Sequence, residues 1–260
     1  MMRRIRLTIA YDGTNYCGWQ IQNNGPSVEG MVDEALARLL PEEKPRITGA
    51  SRTDSGVHAR GNVAVFDTAG SVPAARFAPA VNRYLPPDIR ILGSEEVPPE
   101  FHPRFTAHTK TYLYQIDNNR IPDPLQRLYR YHYSYPLDLA RMQEAAEYLV
   151  GEHDFTSFVN PDSQVFEHNG DAVRTIYEIS VTGSADGSVA FRISGNGFLY
   201  HMIRIIVGTL LQVGTGRRRP EDIPEILAEK DRTAAGPTVP ANGLLLQKLD
   251  YGDSTERGNR

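Results

Sequence analysis

Gly49-Ala50-Ser51-Arg52-Thr53-Asp54-Ser55-Gly56-Val57-His58-Ala59-Arg60-Gly61 lies between Ile47 and the apolar segment Val63-Ala64-Val65-Phe66. Val63 and Val65 share one face of an extended chain, so the second segment predicts a strand. Gly49, Gly56 and Gly61 permit the connection backbone angles that other residues avoid. The connection therefore presents a carboxylate, Asp54, beside a guanidinium, Arg52, with the His58 imidazole close by. Two readings of Asp54 stand open on loop chemistry alone. One is an Asx-turn residue in a tight loop. The other is an ionised carboxylate held near an arginine, usable as nucleophile, base or electrostatic anchor.

Outward from this stretch the elements fall into a repeated order. Ile5, Leu7 and Ile9 alternate, which predicts a strand over 4–11 ended by Asp12-Gly13. Ser27 caps a helix whose stripe is Val28, Met31, Val32, Ala35, Leu36, Leu39 and Leu40, stopped by Pro41. A short strand over 47–50 precedes the loop. Pro73 starts a second helix carrying Phe77, Val81 and Leu85, and 89–92 is a strand. In the second half, 110–116 predicts a strand with Tyr112, Tyr114 and Ile116 on one face. Asp138 caps a helix, 174–182 and the segment around Val189, Phe191 and Ile193 are strands, 198–213 is a helix, and 244–251 is a final strand.

Strand-helix-strand-strand-helix-strand, met twice, is the ferredoxin-like order shared with RNA-recognition modules. The expected fold is α+β, with two ferredoxin- or RRM-like halves, antiparallel sheets and helices on one side. The expected division is 1–107, 108–251 and a polar tail over 252–260. Segments 98–107, 117–136, 154–173 and 217–242 fall outside the bare pattern. They are rich in Pro, Arg, Tyr and Asn, and binding surfaces tend to sit in such insertions.

Of the 260 residues, 40% are hydrophobic and 23% charged, the balance of a soluble globular protein. A single cysteine, Cys17, excludes an intrachain disulfide and a thiolate zinc cluster, and fits a reducing cytosol. The N-terminus lacks the apolar core of a signal peptide, and the apolar run 203–213 is too short to span a bilayer. A cytoplasmic protein with no membrane attachment is expected. The formal net charge is −4, yet arginines cluster at Arg3, Arg4 and Arg6, at Arg217-Arg218-Arg219, and with Lys110 around Arg104, Arg127 and Arg130. A local basic cleft is compatible with that distribution.

Phosphate-loop and dinucleotide fingerprints are absent, and the histidines lack zinc-ligand spacing. The triplet Asp54-Ser55-Gly56 occurs in aspartic proteases, but their chemistry needs two carboxylates sharing a proton. This chain has one such triplet, and Arg52 favours an ionised Asp54. In the apolar helix 198–213, Arg204 demands either an anionic partner or a route to the surface. Asp54 is the acid the loop offers. Tyr112 and Tyr114, behind Lys110, either stack on bases or face the core.

Arg52-Thr53-Asp54-Ser55-Gly56-Val57-His58-Ala59 resembles the active-site signature of the tRNA pseudouridine synthase A family, normally written Gly-Arg-Thr-Asp-Ala-Gly-Val-His. Four further stretches agree: Tyr11-Asp12-Gly13-Thr14-Asn15-Tyr16-Cys17-Gly18-Trp19-Gln20, Lys110-Thr111-Tyr112-Leu113-Tyr114, Phe198-Leu199-Tyr200-His201-Met202-Ile203-Arg204, and Ala235-Gly236-Pro237-Thr238-Val239-Pro240-Ala241 with Gly243-Leu244. The resemblance spans 4–251.

It implies the pseudouridine synthase fold and an isomerase that converts uridine to pseudouridine at positions 38, 39 and 40 of the tRNA anticodon stem-loop. It implies no metal and no organic cofactor, and a homodimer in which one tRNA contacts both subunits. By the same resemblance Asp54 is the catalytic nucleophile, Tyr112 packs on the target base, Arg52 serves base flipping and Arg204 pairs with the catalytic carboxylate. Ser55 stands where Ala is usual, Ile205 where Asn is frequent, and Val159 near a frequent basic residue. The competing reading is a non-catalytic RNA-binding protein of two RRM-like units.

Overall fold

Alternation at the N-terminus becomes strand β1 (Arg3–Tyr11), in which Ile5, Leu7, Ile9 and Tyr11 are buried and the residues between them half-exposed. That is the period of a sheet with one covered face. The computed structural model describes residues 2–163 and 170–252. The expected polar tail from 253 onward, and residues 164–169 of the insertion 154–173, lie outside the described residues. The chain divides into two compact units: the described residues of Met1–His108 and Leu245–Arg260, and those of Thr109–Leu244.

In the first unit, Ser27 Oγ accepts from the Gly30 amide at 3.2 Å and starts α1 (Val28–Leu39). Such a cap contributes about 1 kcal/mol. The helix buries Val28, Val32, Ala35 and Leu36. The short strand β2 (Thr48–Gly49) pairs antiparallel with β3 (His58–Thr68) through Thr48–Val65 and Gly49–Ala64. The helix expected from Pro73 is a 3-10 turn, Ala74–Arg76, running into α2 (Phe77–Val81), with Leu85 beyond its end. Asn82 explains the early stop. Its side chain donates to Ile91 O at 2.9 Å and accepts from Ile91 N at 2.8 Å, tying the helix end to β4 (Ile89–Val97). Phe77 meets Phe66 of β3 edge-on, with ring centres 5.2 Å apart. β1 pairs antiparallel with both β3 and β4. The order β4-β1-β3-β2 is that of a ferredoxin-like unit.

The second unit runs β5 (Thr109–Asp117), β6 (Tyr131–His132), α3 (Leu139–Glu147), β7 (Gly151–Asp154), β8 (Val173–Gly183), β9 (Ser188–Gly195), α4 (Met202–Gly214) and α5 (Asp222–Glu229). β9 lies antiparallel between β5 and β8, and β7 pairs antiparallel with β8. α3, capped by Asp138, packs on β8 and α4.

Two further expectations give way to the structure. The apolar run from Phe198 predicts a helix over 198–213, but α4 begins at Met202 because His201 takes a left-handed backbone with φ of 62°. Asn160 holds the preceding residues instead: its amide donates to Tyr200 O at 3.1 Å, and its side chain meets His201 Nδ1 at 2.9 Å. The last strand, β10 (Leu244–Asp250), pairs parallel with β3 through Leu245–His58 and Leu246–Ala59. The described residues 245–252 thus fall in the first unit, whereas the sequence division put those up to 251 in the second half. Tyr251 anchors that return. Its hydroxyl donates to Pro103 O at 2.6 Å, and its ring packs on Phe101. The architecture is α+β with mostly antiparallel strands.

Candidate active site

The loop after β2 continues the sheet for one residue, with Ala50 N donating to Val63 O at 2.8 Å. Beyond it, burial alternates: Ser51 and Thr53 are buried, Arg52 is exposed and Asp54 half-buried. Alternation of this kind sends successive side chains to opposite faces. Trp19 N donates to Thr53 O at 3.0 Å and fixes the loop from the other side.

Asp54 then opens a four-residue turn. Val57 N donates to Asp54 O at 3.1 Å, and Gly56, the third residue, has φ of 78°. A positive φ at that position is the mark of a type II turn, and glycine adopts it without strain. Ser55 Oγ donates to Tyr16 O at 3.2 Å. His58 is buried, with Nδ1 accepting from Gly13 N at 3.1 Å and lying 3.1 Å from Asp12 Oδ1. A Cβ on Gly13 would fall 2.0 Å from Val57 O, so the two loops can approach only with glycine there.

Beside the loop is an open pocket of about 160 Å³, lined by Trp19, Glu29, Gly49, Arg52 and Arg104 among others. Arg104 Nη2 donates to Gly49 O at 3.2 Å. Burial first, and then the neighbouring Arg52 charge, hold the Arg104 pKa below its ordinary value. The sequence showed Arg104 only as one of several clustered arginines; its place against Gly49 carries no local signature.

Tyr112 and Arg204 lie in the second unit. Tyr112 on β5 is 8% exposed and meets Phe198 edge-to-face at 5.4 Å. Tyr114 is fully buried and donates to Pro240 O at 2.8 Å; burial pushes its hydroxyl pKa well up. The core-facing reading therefore holds for Tyr114, and Tyr112 keeps only a narrow exposed edge. Because α4 starts late, Arg204 sits in its first turn, half-buried, and its Nε donates to Val239 O at 2.7 Å. Ile205 and Val159 are fully buried, so apolar residues at these two positions fill the core. Arg52 and Asp54 thus share one loop of the first unit, while Tyr112 and Arg204 belong to separate elements of the second.

Among the described residues no group of three or more His, Cys, Asp or Glu could hold a metal ion. No described helix is long and apolar enough to cross a membrane.

The family model described as tRNA pseudouridine synthase matches residues 7–106 and 145–252. The chain belongs to the tRNA pseudouridine synthase family. The tRNA pseudouridine synthase A of Ruminiclostridium cellulolyticum is 48% identical over 250 residues, covering 96% of this chain and 100% of that protein. Its namesake in Brevibacillus brevis is 46% identical over 250 residues with the same two coverages. That of Myxococcus xanthus is 41% identical over 252 residues, covering 97% of this chain and 93% of that protein. Pseudouridine synthases are isomerases, so this member of the family is an enzyme, and the reading as a non-catalytic pair of RRM-like units is set aside. The family signature as normally written begins with Gly; here that place is Ser51, whose buried Oγ has no hydrogen-bond partner among the described residues.

Proposed function

We propose that this synthase isomerises uridine to pseudouridine at positions 38, 39 and 40 of the tRNA anticodon stem-loop, with Asp54 as the nucleophile. The supporting observation is the placement of Asp54: half-buried, next to exposed Arg52, at the head of a turn tied down at both ends. In this reaction the bond from N1 to C1′ breaks, a bond from C5 to C1′ forms, the proton on C5 leaves to solvent and N1 takes one up, while the bond made by the Asp54 carboxylate forms and breaks again within the cycle. The base must first leave the stack. The reaction has no net oxidation or hydrolysis. It asks of the protein an ionised carboxylate, a hold on the flipped base, and cations near the RNA backbone.

The roles that follow from the resemblance belong to the same proposal: Arg52 in base flipping, Tyr112 against the target base, Arg204 as cationic partner of the catalytic carboxylate. So do a cytoplasmic homodimer in which one tRNA contacts both subunits, and chemistry that draws on no metal or organic cofactor. Mapping pseudouridine in tRNA from a strain lacking the gene tests the site assignment. The expected result is loss at positions 38, 39 and 40, restored by the wild-type gene and not by Asp54→Ala. Retention at those positions, or loss confined to others, would contradict it.

A further inference from the structure

We propose that Asn62 and Tyr11 are positioning residues: with Thr53 they form a buried hydrogen-bonded clamp that fixes the backbone on both sides of Arg52 and holds Arg52 and Asp54 facing the substrate. The proposal rests on Asp54 being the nucleophile. Asn62, on β3 opposite Ile9, is 0% exposed. Burying a carboxamide is costly unless both its donors and both its acceptor sites are used. Here all four are. Nδ2 donates to Ser51 O at 3.0 Å and to the Tyr11 hydroxyl at 3.4 Å. Oδ1 accepts from Ser51 N at 3.3 Å and from Val63 N at 2.9 Å. The side chain therefore takes both backbone groups of Ser51, as a neighbouring strand would.

Tyr11 ends β1, where the pairing with β3 shifts register between Ile9 and Tyr11. A shift of this kind re-aims the side chain that follows it. The phenol oxygen lies 2.7 Å from Thr53 Oγ1, and its ring packs on Trp19 with centres 5.8 Å apart. Ser51 and Thr53 are thus anchored inward by separate partners. In a stretch where burial alternates, a slip of one residue would exchange the faces and turn Arg52 and Asp54 toward the core. The clamp blocks that slip. Asn62 and Tyr11 act through Ser51 and Thr53.

Tyr11→Phe removes one hydroxyl and keeps the ring, and Thr53→Val removes the matching hydroxyl at nearly constant volume. The readouts are the single-turnover rate of pseudouridine formation in a tRNA transcript, the Kd for that transcript, and thermal melting. Each variant is expected to slow the single-turnover rate fivefold or more, with Kd within twofold of wild type and a cooperative melt. The double variant is expected to be no slower than Tyr11→Phe alone, because the only contact Thr53→Val removes from the clamp, the Tyr11–Thr53 hydroxyl pair, is already lost in Tyr11→Phe. Thr53→Ser, which keeps the hydroxyl, is expected to restore the rate to within threefold. Slowing of less than fivefold in Tyr11→Phe overturns the clamp, as does a rate loss matched by equal loss of tRNA affinity or of folded protein. The Asp54 reading fails separately, when Asp54→Asn keeps the wild-type rate.

Discussion

Val57 donates its backbone amide to the carbonyl of Asp54 at 3.1 Å, so the residue that carries the carboxylate is also the first residue of a closed turn. The turn depends on Gly56, whose φ of 78° lies in the left-handed region. Gly56→Ala is expected to destabilise the protein by about 1–2 kcal/mol and to lower the single-turnover rate, because the turn fixes where Asp54 leaves the loop. Denaturant titration together with single-turnover kinetics checks both halves of that expectation.

Asp33, which accepts a hydrogen bond from the chain just before β2, supplies a pH-dependent contribution to stability. Its Oδ1 accepts from Ile47 N at 2.8 Å, and burial, partly offset by that amide, pushes its pKa up to about 6. An acid whose folded pKa lies above its unfolded value binds its proton more tightly in the native state. The stability this confers is complete below about pH 4 and is lost as the pH rises through about 6. Asparagine keeps the acceptor and cannot ionise. Asp33→Asn is therefore expected to match wild type near pH 4 and to exceed it by about 1–2 kcal/mol at pH 8, solvent screening of this half-buried carboxyl reducing the full effect. Urea titrations at the two pH values measure the difference, and a less stable variant at pH 8 would refute it.

Ser51 offers the opposite kind of substitution. Its backbone is held, but its Oγ is buried with no hydrogen-bond partner among the described residues. Removing such a hydroxyl leaves no partner stranded and relieves a desolvation penalty. Ser51→Ala is expected to be neutral or to stabilise by up to about 1 kcal/mol, with tRNA affinity and turnover unchanged. A melting curve and a steady-state assay are sufficient.

Local pattern carried much of the first unit. Alternation of Ile5, Leu7 and Ile9, the Ser27 cap and the glycines around Asp54 each point to the element that forms, because the forces that set them lie within a few residues. Where distant residues decide, the sequence is mute. Phe198, Leu199 and Tyr200 continue the apolar run of α4, but Asn160 holds His201 and delays the helix. That delay moves Arg204 from mid-helix to the first turn, against Val239. The partner of β10 is β3, a parallel pairing across most of the chain that no local spacing encodes. Asn62, just ahead of the apolar segment 63–66, carries no local signature, and its part shows only where Ser51 and Tyr11 meet its carboxamide.

The central claim is that the Asp54 carboxylate performs the isomerisation. Release of tritium from tRNA carrying 5-tritiated uridine reports the departure of the C5 proton directly, and can be read beside the Kd for the same tRNA. The wild-type protein is expected to release tritium, and Asp54→Asn to release none while binding tRNA within twofold of wild type. Release by Asp54→Asn at the wild-type rate, or none from the wild-type protein, would contradict the account.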